Sequence, residues 1–151
     1  YNLEGELAAD AGPVDIAHAR VLRPGSDVAL ITYGGSVPKT LEAAAALESQ
    51  GVSAEVLDLR TLRPLDTESI VASVRRAHRA VIVDEGWRSG GIAAEIMARI
   101  LEQALYELDA PVERVCTVEV PVPYSKHMED AALPGVARIV DAALKVLGRN
   151  G

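Results

Sequence analysis

The side chains best suited to chemistry fall in four polar stretches, each following an apolar run. Tyr33-Gly34-Gly35-Ser36 comes first. Glycines at a helix entrance can cradle a phosphate on backbone amides. The stretch lacks the spacing of a dinucleotide fingerprint and the Lys-Ser/Thr of a P-loop, so a tight strand-to-helix turn is the simpler reading. Arg60 and Arg63 can clamp a carboxylate or phosphate through two parallel hydrogen bonds. Their simpler role is pairing with Asp58, Asp66 or an acidic neighbour. Asp84, Glu85, Trp87 and Arg88 form the most reactive set. Adjacent carboxylates can act as acid and base, yet sequence neighbours point apart and no partner base stands near. The plainer reading is a turn, with Ser89 as a cap, Gly90-Gly91 as the bend and Trp87 plugging a core or interface edge. Tyr124, Lys126, His127 and Glu129 lie in a Pro-rich loop. His127 can serve as a base, but there is no G-x-S-x-G elbow and no second His at metal spacing. The other histidines, His18 and His78, are distant in sequence. Loop ordering or interface contact is the plainer role.

The apolar runs define the elements that carry these stretches. Ala80–Val83 reads as a buried strand, Asp84–Gly91 as a loop, and Ile92, Ile96 and Ile100 as one face of a helix running to about Leu108. Ala93, Met97 and Leu101 add a second apolar stripe, a width that suggests burial against another domain or subunit as well as the sheet. Strand, loop and helix repeat along the chain, the pattern of an α/β sheet. Ala19–Leu22 and Val28–Tyr33 are strands joined by the turn Pro24-Gly25-Ser26-Asp27. So short a link predicts a hairpin, with the first strand antiparallel to the second. Ser36 is placed to cap the next helix and Gly51 to end it. Ala54–Leu59 is a strand. Asp66 caps a helix whose Ile70, Val71, Val74 and Ala77 face inward. Glu113–Val118 is the last strand. Val120–Pro123 holds two prolines and cannot be a central strand. The loop continues through Tyr124–Ala132, and a final helix starts at Pro134. The expectation is five strands and four main helices. Residues 1–17 show no period and read as a linker or entering arm, with the domain at 18–151.

Composition narrows the function. The chain has 151 residues, the size of one domain. A chain of that length buries roughly 70% of its unfolded surface and needs no metal or disulfide to fold. A net charge of −7 argues against nucleic acid and permits a basic protein partner. Cys116 is the only cysteine, so no internal disulfide forms, and a cytoplasmic setting fits. No apolar run approaches the roughly 20 residues of a membrane span, and no signal peptide is visible. The chain begins at Tyr1, not Met, and reads as a fragment or a processed product.

The order LEAAAALESQGVSAEVLDLRTLRPLDTESIVASV, VDEGWRSGGIAAEIMARILEQ and LDAPVERVCTVEVPVPYSKHMEDAALP resembles the C-terminal half of pyruvate dehydrogenase beta subunits. These belong to the thiamine-diphosphate-dependent first component of 2-oxo acid dehydrogenase complexes. The resemblance runs from about Val14 to Leu147. It implies the transketolase C-terminal fold: a three-layer α/β/α sandwich around a five-stranded mixed sheet with its first strand antiparallel. It also implies that the cofactor-activating glutamate and the thiamine diphosphate and magnesium sites lie in other parts of the parent heterotetramer. No catalytic, cofactor or metal residue transfers to this chain. What the resemblance assigns here is assembly, with the alpha subunit, with a second beta subunit and with the basic subunit-binding domain of the dihydrolipoyl acyltransferase. Arg63, Glu85, Trp87, Arg88, Tyr124, Lys126, His127 and Glu129 are the candidate interface residues. PVPYSKHMED is closer to the pyruvate enzymes than to branched-chain ones; branched-chain or acetoin dehydrogenases are the alternatives. Outside this family, the alternatives are a stand-alone nucleotide- or anion-binding domain using Gly34, Gly35, Arg60 and Arg63, and a hydrolase using His127.

Overall fold

The structure is a computed structural model that describes residue 9 and residues 12–149. Most of the arm expected at 1–17 lies outside the described residues. The elements run β1 (Arg20–Arg23), β2 (Val28–Thr32), α1 (Ser36–Glu48), β3 (Ala54–Asp58), α2 (Thr67–Ala77), β4 (Ala80–Trp87) and α3 (Ile92–Ala104). A 3-10 turn at Leu105–Glu107 precedes β5 (Glu113–Thr117), α4 (Lys126–Ala132) and α5 (Val136–Val146). The sheet order is β1-β3-β2-β4-β5, with β1 antiparallel to β3 and every other pair parallel.

Central β2, VALIT, is buried at every residue, as a parallel strand covered on both faces requires. Its side chains alternate. Ala29 and Ile31 join Leu57, Ile70, Val74, Ile96 and Ile100 beneath α2 and α3. Val28 and Leu30 join Ala44, Leu47, Ile139 and Ala143 beneath α1 and α5. The result is the expected three-layer α/β/α sandwich on a five-stranded mixed sheet.

The expected hairpin does not form. β1 runs opposite to β2 but pairs with β3, so the four-residue turn steps over the start of β3. Two strand spacings are roughly 10 Å, within reach of four extended residues. The crossing is tight. The amides of Ser26 and Asp27 donate to Ser53 O at 3.0 and 2.8 Å, and Ser53 N donates to Asp27 Oδ2 at 2.8 Å. A Cβ on Gly25 would lie 2.2 Å from the backbone of Ala54, so only glycine fits.

Three local expectations also change. Ser36 is the first residue of α1 and caps nothing; Gly35 holds the cap position. β4 extends to Trp87, through part of the expected loop. Lys126–Ala132 is a seven-residue helix inside the expected loop, with the ion pair Lys126–Asp130 at 2.9 Å along its side. Among the described residues there are therefore five α-helices. Asp66 does cap α2, accepting from Ser69 N at 3.0 Å, and Gly51 follows α1 at φ 72°. α3 gives way to the 3-10 turn at Leu105, three residues before Leu108.

Candidate functional site

In an open α/β sheet, ligands bind outside the strand carboxyl ends where the strand order reverses. Here that point lies between β2 and β4. It is filled by the chain's own side chains. Asp84, fully buried on β4, accepts from Tyr33 Oη at 2.6 Å and Gly86 N at 2.7 Å through Oδ1, and from Ala93 N at 3.2 Å through Oδ2. The last bond satisfies one of the free amides at the start of α3. Burial and the Asp84 carboxylate push the Tyr33 hydroxyl up, so it stays protonated and remains a donor. Cys116, opposite Asp84 on β5, is buried and free. Burial, then the Asp84 charge, raise its thiol, which suppresses thiolate chemistry.

Glu85 faces the other way, as the next residue of a strand must. Its carboxylate lies over Gly35 at the entrance to α1, where a Cβ would sit 2.7 Å from Oε1. The two adjacent acids therefore serve different helices on opposite faces. Asp84 satisfies the N-terminus of α3 and Glu85 lies against that of α1, both favourable placements for negative charge. They share no proton and no substrate position, so the acid–base reading of this pair fails.

The expected arginine pairings do not form. Arg60 gives its backbone amide, not its guanidinium, to Asp58 at 2.9 Å, and its Nη1 reaches Asp15 O at 3.1 Å. Asp66 is engaged by Ser69 and by Ala19 N at 2.8 Å. Arg63 is exposed and makes no ion pair among the described residues. Gly35 faces the Glu85 carboxylate, whereas Gly34 and Arg60 line one open cavity of about 500 Å³ beside Asp58, without Arg63.

Trp87 ends β4 and Arg88 follows it, where the register with β5 slips between Asp84 and Trp87. Thr117 Oγ1 holds this bulge by donating to Glu85 O at 2.6 Å. Arg88 Nη1 donates to Arg114 O at 2.9 Å, and Arg114 Nη1 returns the bond to Arg88 O at 3.0 Å. His127 Nδ1 lies 3.1 Å from Ser125 Oγ. That contact looks like half of a nucleophilic pair, but the group is exposed. No carboxylate hydrogen-bonds the other ring nitrogen among the described residues, so a triad is not assembled. Tyr124 is fully exposed, Lys126 is tied to Asp130, and Glu129 is half-buried on α4.

What these segments share is exposed apolar surface. Trp87 (48% exposed), Val118, Val120, Val122, Tyr124 and Met128 all stand out at the carboxyl end of β4 and β5. Ser89 N donates to Glu119 Oε1 at 2.9 Å and Val118 N to Ala132 O at 2.9 Å, so the β4 end, the loop and α4 form one surface. Sequence reasoning missed Ser125, Thr117 and the role of Tyr33. Only Tyr33, a polar aromatic closing an apolar strand, carried a signal. Among the described residues no group of three or more His, Cys, Asp or Glu side chains is arranged to hold a metal, and no helix is long and apolar enough to cross a membrane. At the switch point the Asp84 and Glu85 carboxylates place negative charge at the entrances of α3 and α1, where a diphosphate would otherwise sit.

The fold and site define an α/β/α domain with a buried, hydrogen-bonded carboxylate at the strand switch point and an apolar surface exposed beside it. The chain belongs to the transketolase C-terminal domain family, whose model matches residues 17–139. It is 52% identical over 136 residues to the mitochondrial pyruvate dehydrogenase E1 component subunit beta of Drosophila melanogaster, covering 89% of this chain and 37% of that protein. It is 42% identical over 147 residues to the acetoin:2,6-dichlorophenolindophenol oxidoreductase subunit beta of Cupriavidus necator, covering 97% of this chain and 44% of that one. A solved structure described as "Split gene transketolase, inactive beta4 tetramer" superposes with a TM-score of 0.80 at 26% identity, covering 97% of this chain and 47% of that one. The chain thus spans less than half the length of these relatives.

Proposed function

We propose that residues 18–151 are the C-terminal assembly domain of a beta subunit in a thiamine-diphosphate-dependent pyruvate dehydrogenase, entered through a linker at 1–17. The parent enzyme decarboxylates a 2-oxo acid oxidatively and passes the acyl group to lipoyl on the acyltransferase. Thiamine diphosphate and magnesium bind elsewhere in that heterotetramer, and this domain does no chemistry. Its partners are the alpha subunit, a second beta subunit and the acyltransferase subunit-binding domain. One observation carries the reading: six large apolar side chains, Trp87 to Met128, stand exposed at one end of the sheet. Large exposed apolar patches mark interaction sites. The similarity to beta subunits supports it, and pyruvate is favoured over acetoin by the higher identity. A single cysteine, buried and free, supports a cytoplasmic or otherwise reducing compartment, although the Drosophila relative is named as mitochondrial. Calorimetry with thiamine diphosphate and magnesium tests the non-catalytic part. The expected result is no saturable heat; cofactor binding with pyruvate decarboxylation by this chain alone would overturn it.

A further inference from the structure

β5 is the last strand of the sheet, and among the described residues no strand pairs with its outer side. Which of its backbone groups point that way follows from the ladder. Ala29 N donates to Arg79 O at 2.8 Å, so Arg79, Val81 and Val83 turn their N–H and C=O groups to β2. Ala80, Ile82 and Asp84 turn theirs to β5. Ile82 lies opposite Arg114 and Asp84 opposite Cys116, so Glu113, Val115 and Thr117 complete that ladder. Arg114 and Cys116 therefore point their backbone groups outward. A strand edge of this kind is a template for a further strand, above all from another copy of the chain. Two copies related by a two-fold axis would set Arg114 of one against Cys116 of the other, each such pair exchanging two hydrogen bonds.

The chain's own side chains stand at those positions. Arg88 Nη1 donates to Arg114 O at 2.9 Å, and Arg138 Nη2 donates to Cys116 O at 2.6 Å. The two caps come from different elements. Arg88 follows β4 and is fixed by Arg114 Nη1, which donates back to Arg88 O at 3.0 Å. Arg138 lies in the first turn of α5, and its Nη1 also reaches Leu133 O at 3.4 Å. Farther along the edge, Val118 N is taken by Ala132 O of α4 at 2.9 Å. Both caps are exposed residues, yet their guanidinium groups are directed at main-chain carbonyls of one strand.

We propose that Arg88 and Arg138 guard the β5 edge: seated on the outward carbonyls of Arg114 and Cys116, their guanidinium groups keep a second copy of the chain from joining its sheet to this one through β5. Each copy would bring two such charges into the seam, and their repulsion opposes pairing further. The guard does not rest on the assembly reading. The test follows backbone amide hydrogen exchange at Arg114 and Cys116 by NMR, from micromolar to millimolar protein. It compares the parent chain with Arg88→Ala/Arg138→Ala and Arg88→Lys/Arg138→Lys, each checked for native circular dichroism. Association through the Trp87 surface is common to all three, so the difference between them reads the edge. In the alanine double variant, exchange at both amides should slow at least about tenfold more than in the parent as concentration rises, because the amides enter a shared ladder. The lysine double variant, which keeps a charged donor near each carbonyl, should stay close to the parent. Should the alanine double variant fail to fold, Arg88→Ala alone uncaps Arg114 O and should slow exchange at Cys116, the amide that pairs with that carbonyl of the second copy. Alanine variants whose two amides exchange as in the parent at every concentration, or a lysine variant that pairs as the alanine one does, would overturn the proposal.

Discussion

Replacing Asp84 should destabilise the domain far more than any other single change at the carboxyl edge. The carboxylate is fully buried and accepts three hydrogen bonds, from Tyr33 Oη, Gly86 N and Ala93 N. Asp84→Ala leaves all three donors without their acceptor. Each stranded buried donor costs about 1–3 kcal/mol. Tyr33 is only partly buried and water can reach it, which discounts its share. The expected loss is about 3–5 kcal/mol, a large fraction of the roughly 5–15 kcal/mol that holds a domain together. Asp84→Asn keeps one acceptor oxygen but turns a donor toward Ala93 N–H, so it should cost about 1–3 kcal/mol. Tyr33→Phe removes one donor and keeps the ring, for about 1 kcal/mol. Urea unfolding followed by circular dichroism measures all three, with an unchanged m-value certifying that compactness is unaltered. The order Asp84→Ala, then Asp84→Asn, then Tyr33→Phe is the prediction. An Asp84→Ala protein within about 1 kcal/mol of the parent would refute the view that this carboxylate ties the strand ends to α3.

Three further outcomes follow from the same geometry. Gly25→Ala forces a Cβ to 2.2 Å from the Ala54 backbone, so the crossing over β3 must shift; the variant should lose at least about 2 kcal/mol by urea unfolding, where an open turn would lose less than 1. Arg76→Ala strands the buried Glu55, which Arg76 Nη2 meets at 2.8 Å, and should cost about 3 kcal/mol, less if water enters past the half-exposed arginine. Burial raises the Asp66 carboxyl, but hydrogen bonds from the Ser69 side chain and backbone and from Ala19 outweigh it, leaving the group below its ordinary value. A depressed carboxylate stabilises above its unfolded pKa, and that contribution is lost as pH falls through the depressed value. Asp66→Ala should therefore cost about 1 kcal/mol at neutral pH, as a lost helix cap, and much less in strong acid; an equal cost at both would refute the cap.

Much of the fold was legible because the apolar runs are unambiguous. VALIT and AVIV leave no option but buried strands, and Asp66 and Gly51 mark helix ends by chemistry that needs no tertiary context. The misreadings have physical causes. Asp84 looks like the start of a loop because it is charged, yet three donors, one of them Tyr33 from another strand end, let it sit in the sheet. The Pro24–Asp27 link looks like a hairpin because sequence does not reveal that β3 will later insert between the joined strands. Lys126–Ala132 reads as loop because its helix buries only Ala132 and leans on the Lys126–Asp130 pair. At the site, the residue types at the strand ends were found, but not their wiring. The acids, expected to point apart, are divided between α3 and α1, which the sequence did not specify; the arginines at 60 and 63 looked paired with acids and are not.

The central claim is that the Trp87–Met128 surface exists to be covered. Sedimentation equilibrium of the chain across the micromolar range tests it, beside a double variant, Trp87→Glu with Tyr124→Ser, checked for native circular dichroism and unfolding. The account predicts reversible self-association of the parent chain that the double variant abolishes while keeping its fold. A parent chain that sediments as a monomer at every concentration, or a double variant that associates as tightly as the parent, would contradict it.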